Sequence, residues 1–237
     1  MPAVQTVLSP ALAELADFEE RAVVVIDVFR ATTTIVSALN SGWKEVRPVV
    51  ALEEALALQD SGYYAAAERG GQKVDGFDGG NSPLEYQSGP GETNRIALTT
   101  TNGTKCVAMA LELGAVEVFA GSLRNRGATV ERLKQSGLDV VLFCAGWKQR
   151  VNFEDTLLAG ALADGLIADG YEIKDDSTLD AQLIWKAAES DPLAWAQKAS
   201  HWTRLAGFGL EDDVRFSLQV DQTSVVPVLR DGAFVLD

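Results

Sequence analysis

The sequence predicts an α/β protein built on a mostly parallel sheet, and three observations carry that prediction. Residues 22–28, Ala-Val-Val-Val-Ile-Asp-Val, form a continuous β-branched run of strand length, the pattern of a strand buried on both faces. A polar turn and a helix-length segment follow it, and strand, polar turn and helix recur at least three times, the order of βαβ units. Finally, 237 residues, 47% hydrophobic and 23% charged, can bury a large core without staples.

The elements follow in chain order. After the first strand, residues 31–39 read as a helix that Gly42 closes. Residues 45–50 read as a strand, 52–59 as a short helix and 63–67 as the next strand. Regular patterning then stops. Residues 68–92 hold seven of the 21 glycines and two of the seven prolines, so a long functional loop is expected there. Strands resume at 95–100, 116–120 and 139–144, alternating with helices at 104–113, 125–135 and 153–169. Beyond Gly170 the pattern is helical over 179–189 and 192–205, then strand-like over 214–220 and 224–229. No low-complexity linker interrupts the chain, so residues 1–237 read as one α/β unit, with lobes at about 1–92 and 93–237. Trp185, Trp195, Trp202 and Phe208 fall in the helical C-terminal third. A core between helices is their first reading, a homodimer surface the second.

Charge and composition exclude several functions. The formal charge is 20 − 34 = −14, which argues against a nucleic-acid partner because phosphate neutralisation needs clustered Lys and Arg. Cys106 and Cys144 sit in apolar contexts without Cys-x-x-Cys spacing and read as buried, reduced thiols. The lone histidine, His201, excludes a His-rich metal site and reads as structural. No apolar run approaches the roughly 18 residues of a membrane span, and the N-terminus lacks a leader pattern. A cytoplasmic protein without a membrane partner is therefore expected.

In open parallel sheets ligands bind beyond the carboxyl ends of the strands, so the polar turns there are the candidate site. The first is Asp27-Val28-Phe29-Arg30-Ala31-Thr32-Thr33-Thr34. A carboxylate closing an apolar strand needs a partner, which a metal ion, Arg30 or a substrate would supply. Thr32, Thr33 and Thr34 suit hydroxyl donors around an oxyanion better than a helix interior. The second turn is Thr99-Thr100-Thr101-Asn102-Gly103-Thr104-Lys105, with the parts of a phosphate cradle but without Walker A spacing. Its plain alternative is an Asn-Gly turn with a Thr cap. The long loop contributes Glu68-Arg69-Gly70-Gly71 and Asn81-Ser82-Pro83. Asn81 and Ser82 are placed to cap a helix started by Pro83. Glu154 and Asp155 open the helix at 153–169, either complementing its dipole or serving as hard oxygen ligands. A haloacid-dehalogenase site is set aside, because the second Asp of Asp-x-Asp is missing after Asp27.

Taken together, Val-Ile-Asp27-Val-Phe-Arg30-Ala-Thr-Thr-Thr, Glu68-Arg69-Gly-Gly, Gly76-Phe-Asp-x-Gly-Asn81-Ser82-Pro, Thr99-Thr-Thr-Asn-Gly-Thr104 and Phe153-Glu-Asp155 resemble the 2-phosphosulfolactate phosphatases of the ComB family. The resemblance runs from about Val23 to the segment ending Val225-Val-Pro227. It implies a three-layer α/β/α fold in two lobes and a Mg2+-dependent phosphatase acting on a small anionic phosphorylated substrate. The implied reaction releases 3-sulfolactate and phosphate from 2-phosphosulfolactate, a step of coenzyme M biosynthesis. A different phosphorylated hydroxy acid, or a non-catalytic anion-binding protein on the same scaffold, are the alternatives. Chemistry laid on the matching positions gives the expected roles. Asp27, Glu68 and Asp155 would hold the metal, with Asp27 as ligand or nucleophile. Asp27, Arg30, Glu68 and Arg69 would form the catalytic set. Thr32, Thr33, Gly71, Asn81, Ser82, Thr100, Thr101, Asn102, Gly103, Thr104 and Lys105 would bind phosphate and substrate. Arg30, Arg69 and Lys105 would converge on the site and offset the acidic surplus locally.

Overall fold

The computed structural model describes residues 1–237, beginning with a strand that sequence patterning does not assign. β1 (Ala3–Val7) mixes Gln5 and Thr6 with apolar side chains and is held by β8 on one side and β9 on the other. Next come β2 (Ala22–Ile26), α1 (Ala31–Asn40), β3 (Glu45–Pro48), α2 (Leu52–Ala57), β4 (Tyr64–Arg69) and β5 (Gln72–Lys73). They are followed by β6 (Arg95–Thr99), α3 (Gly103–Glu112), β7 (Glu117–Gly121), α4 (Arg126–Ser136), β8 (Val140–Cys144), α5 (Phe153–Ala168) and β9 (Glu172–Ile173). The chain closes with α6 (Asp176–Ala188), α7 (Pro192–Ala196), α8 (Ser200–Ala206), α9 (Glu211–Ser217), β10 (Val228–Arg230) and β11 (Ala233–Val235).

All eleven strands join one mixed sheet in the order β5-β4-β6-β3-β11-β10-β7-β2-β8-β1-β9. Two parallel blocks compose it. One contains β4, β6 and β3; the other contains β7, β2, β8, β1 and β9. The C-terminal hairpin β10–β11 lies between them and pairs antiparallel with each. Three antiparallel steps separate β3 from β7, so the two blocks run in opposite senses. Strands from residues 1–92 and 93–237 intermix in both blocks, so the expected division near residue 92 does not describe the sheet.

Alternation along the central strands produces the three layers. Val24 and Ile26 of β2, with Leu142 and Cys144 of β8, face a core shared with α4, α5 and α6. Val23, Val25, Val141 and Phe143 face the opposite core, built with α1 and α3. A smaller core lies under α2. Cys106 and Cys144 are free, buried thiols. Trp185 is buried, whereas Trp195 and Phe208 are substantially exposed, so the four C-terminal aromatics do not form a single core. No helix is long and apolar enough to cross a membrane.

Two local expectations are corrected. The strand-like pattern over 214–220 does not become a strand, because α9 occupies Glu211–Ser217. Glu211, Asp212 and Asp213 in its first turn complement the helix dipole, and Val214, Ser217 and Leu218 are buried at helical spacing. No helix starts at Pro83; residues 83–88 form successive turns. The interior of that segment is held from outside, with Ser37 donating to the Pro83 carbonyl at 2.7 Å and the Tyr86 hydroxyl to Gly80 at 2.6 Å.

Candidate active site

Residues just beyond the carboxyl ends of β2, β4, β6 and β8 meet in one polar pocket, although those strands belong to both blocks. Asp27, Arg30, Glu68, Gly71, Asn81, Thr101 and Asn102 line it, together with Phe29, Gly70, Trp147, His201, Arg204 and Leu205. Of the expected residues, this group therefore contains two of three carboxylates, one of three cations and the middle of the Thr-Asn-Gly turn.

Asp27 follows β2 directly and is buried. Its Oδ1 accepts from the Ala31 amide at 3.4 Å, and its own N–H donates to Thr32 Oγ1 at 3.0 Å. The Phe29–Arg30 peptide is cis. Gly103, at the start of α3, abuts the same carboxylate: a Cβ there would lie 2.8 Å from Asp27 Oδ2 and 2.7 Å from Ala31 Cβ. The missing side chain lets the positive end of α3 face Asp27. Burial, and after it the Glu68 charge, push the Asp27 carboxyl up to about 6, against the opposing effects of His201 and the Ala31 N–H.

Glu68 ends the buried part of β4. Its carboxylate accepts from the Gly71 amide at 2.5 Å, the Thr101 amide at 3.2 Å and the Thr101 hydroxyl at 3.1 Å. These bonds tie the β4 and β6 turns together. Gly71 has φ +95°, and a Cβ on it would meet the Phe208 ring at 3.3 Å. Arg30 is buried and already engaged: Nη1 reaches Asp213 Oδ2 at 2.5 Å and Nη2 the Gly71 carbonyl at 2.6 Å. Ser82 donates to the other Asp213 oxygen at 2.6 Å. Asn81 is buried, and its Oδ1 has no hydrogen-bond partner.

Helix α8 supplies the opposite wall. His201 is buried, with Nδ1 2.5 Å from Oε1 of the fully buried Glu154. Arg204 lies one turn along, its Nη2 2.6 Å from His201 Nε2. The guanidinium carbon sits 4.6 Å from the Trp147 ring centre, within cation–π range. Burial pushes the Arg204 guanidinium down from its ordinary value, and Glu68 and Glu154 act in the opposite direction. His201 is therefore a pocket residue, contrary to its reading as a structural histidine.

Other expected residues serve the scaffold. Thr32 binds the Asp27 amide, the Thr33 hydroxyl donates to the Val28 carbonyl at 3.0 Å, and the Thr34 hydroxyl to the Asn81 carbonyl at 3.0 Å. These hydroxyls hold turns rather than an oxyanion. Thr100 and Thr104 bond reciprocally at the start of α3, whose N-cap position is Asn102 rather than a Thr. Arg69 turns away from the pocket, donating to the Glu68 carbonyl, Thr99 Oγ1 and the Val50 carbonyl. Lys105 is exposed and lines a neighbouring hollow. Asp155 accepts from the Val28 amide at 2.9 Å and the Gly146 amide at 3.0 Å, so both oxygens stitch the β2 and β8 turns. Burial and the Glu154 charge hold its carboxyl well above the usual range. Asp27, Glu68 and Asp155 do not assemble as a metal triad; no three His, Cys, Asp or Glu side chains cluster in that way.

Four contributors escape sequence reasoning: Glu154 as a partner of histidine, His201, Arg204 and Asp213; Trp147 lies in the turn after the strand at 139–144, Cys144-Ala145-Gly146-Trp147. One signal was present, the i, i+3 pair His201 and Arg204 on one short helix face.

Comparison with known proteins adds to this geometry. The family model described as 2-phosphosulpholactate phosphatase matches residues 7–232. A Thermotoga petrophila protein named "Probable 2-phosphosulfolactate phosphatase" is 40% identical over 225 residues, covering 95% of this chain and 96% of that one. Proteins with the same name from Caldanaerobacter subterraneus subsp. tengcongensis and Prochlorococcus marinus MIT 9313 are each 37% identical. The first covers 91% of this chain and 90% of its own length, the second 89% of both.

Proposed function

The chain belongs to the 2-phosphosulpholactate phosphatase family, and from that premise we propose that it hydrolyses 2-phosphosulfolactate to 3-sulfolactate and phosphate with Mg2+. The observation that carries this reading is the buried Asp27 carboxylate, set in one pocket with Glu68 and the N-terminal end of α3.

Magnesium keeps several waters and takes one or two carboxylates rather than a full protein cage. Asp27 and Glu68 meet that requirement, and the unpartnered Asn81 Oδ1 adds a hard oxygen in the same pocket. Bound there, the ion would supply Lewis-acid neutralisation of phosphoryl charge. The chain's own groups do the rest. Asp27 presents a carboxylate that is ionised above about pH 6. The α3 N-terminus adds partial positive charge for the phosphoryl oxygens. Arg30 braces the β2 turn against Asp213 while its guanidinium borders the pocket. Phe29 and Leu205 limit water on the apolar side.

Phosphate release from 2-phosphosulfolactate, measured with millimolar Mg2+ and again with EDTA, tests this directly. The wild type should turn over only with the metal. Asp27→Asn should lose about 10³-fold or more in kcat, the scale expected for removing a principal catalytic group. Near-wild-type turnover of that variant would overturn the reading.

A further inference from the structure

Arg204 is the one pocket guanidinium without a carboxylate partner. Arg30 is paired with Asp213, whereas Arg204 reaches only the His201 ring, and its buried Nε–H has no hydrogen-bond partner. A guanidinium can only donate, so His201 Nε2 must accept from it. The ring hydrogen then sits on Nδ1 and is donated to Glu154 Oε1, 2.5 Å away. Glu154, His201 and Arg204 thus form a chain that fixes the guanidinium without giving it a carboxylate in direct contact. Trp147 supports it from one face at 4.6 Å. A fixed, partly desolvated guanidinium with a free donor is a site for a planar or tetrahedral oxyanion, which it can bind through two N–H groups at once.

In the proposed phosphatase site the phosphoryl group is met by the α3 N-terminus and by the cation that Asp27 and Glu68 would hold. We propose that Arg204, positioned by Glu154 and His201 and backed by Trp147, binds a second anionic group of the substrate, a sulfonate or a carboxylate, and so sets selectivity for phosphate esters of small polyanionic acids. This deepens the phosphatase reading and rests on it.

The test compares kcat/KM on 2-phosphosulfolactate, 2-phospholactate and isopropyl phosphate, which carry a sulfonate and a carboxylate, a carboxylate alone, and neither. In Arg204→Met the preference for 2-phosphosulfolactate over isopropyl phosphate should fall about 10- to 100-fold, the range for losing a charge-assisted pair, with KM carrying most of the change. If the sulfonate is the bound group, the fall appears between the first two substrates; if the carboxylate is, it appears between the last two. An unchanged preference overturns the proposal. For the positioning role, His201→Phe should raise KM for 2-phosphosulfolactate, and His201→Gln, which keeps an acceptor for Arg204, should recover part of it. Equal KM values in those two variants would remove His201 from the chain. If the wild type hydrolyses none of the three esters, the phosphatase reading fails on its own. Calorimetry with 3-sulfolactate then decides the anion site: binding by the wild type that Arg204→Met weakens about 10-fold or more sustains it, and equal or absent binding overturns it.

Discussion

At the residue scale, burial and the neighbouring Glu68 charge raise the Asp27 carboxyl to about 6 from 3.8, and this has a stability consequence. The folded protein resists ionising Asp27 more than the unfolded chain does. Protonated, below about pH 4, the side chain carries no such penalty. Between about pH 4 and pH 6 the unfolded chain releases this proton while the folded protein keeps it. The folded state therefore loses about 1.4 kcal/mol for each pH unit in that window, or about 3 kcal/mol in all by pH 8. In metal-free protein, Asp27→Asn should gain on the wild type by about that amount between pH 4 and pH 8, read from denaturant midpoints at each pH. A difference that stays flat across the range would show that Asp27 titrates normally. The pocket residues Asp27, Glu68, Thr101 and Asn102 were visible in the sequence because each sits at the end of an obvious strand or in the first few positions after it. Arg204 was not assigned. It reaches the pocket from a separate short helix, and its only local mark is His201 three residues earlier on the same helix. Thr32, Thr33 and Arg69 show the converse error, since hydroxyls and guanidines near a site also satisfy the backbone of its turns.

At the element scale, α5 decides how tightly the sheet and its outer helix layer fit. Most of its side chains are fully buried, because it lies between the sheet and α6. The closest approach is at Gly160, where a Cβ would stand 1.9 Å from the Ala181 carbonyl oxygen and 3.0 Å from Trp185 Cβ. Backbone cannot swing aside as a side-chain tip can. Gly160→Ala should accordingly cost about 1–3 kcal/mol or more, with an unchanged denaturant slope. A midpoint within about 0.5 kcal/mol of wild type would mean that α6 shifts freely. Strong patterns of this kind were legible: β2, β8, α1 and α5 all lie within a residue or two of their expected positions. Weak ones were not. β1 is short and half polar, and α9 follows an acidic turn whose apolar spacing resembles a strand over so few residues. The β10–β11 hairpin did carry a signal, Asp231-Gly232 with both residues at positive φ, the preferred pair for a tight hairpin turn. That hairpin is the piece that joins the two parallel blocks.

At the scale of the whole molecule, the net charge of −14 meets a pocket less basic than its sequence suggested. Lys105 and Arg69 point elsewhere, and Asp213 neutralises Arg30. Against the remaining Arg204 stand Asp27 and Glu68. The long-range field around the site is therefore set by the acidic surplus, while attraction is confined to contacts made after the substrate has entered. A polyanionic substrate approaches such a protein against repulsion, and salt screens that repulsion over about 10 Å at 0.1 M. Raising NaCl from about 0.02 to 0.3 M, with Mg2+ held saturating, should then increase kcat/KM for 2-phosphosulfolactate roughly 2- to 5-fold, mainly through faster association. The same change should leave the rate on the less charged isopropyl phosphate closer to constant. A kcat/KM that falls with salt would mean that Arg30, Arg204 and the bound cation together project a positive field beyond the pocket mouth. The acidic surface would then be too distant from the entrance to govern approach.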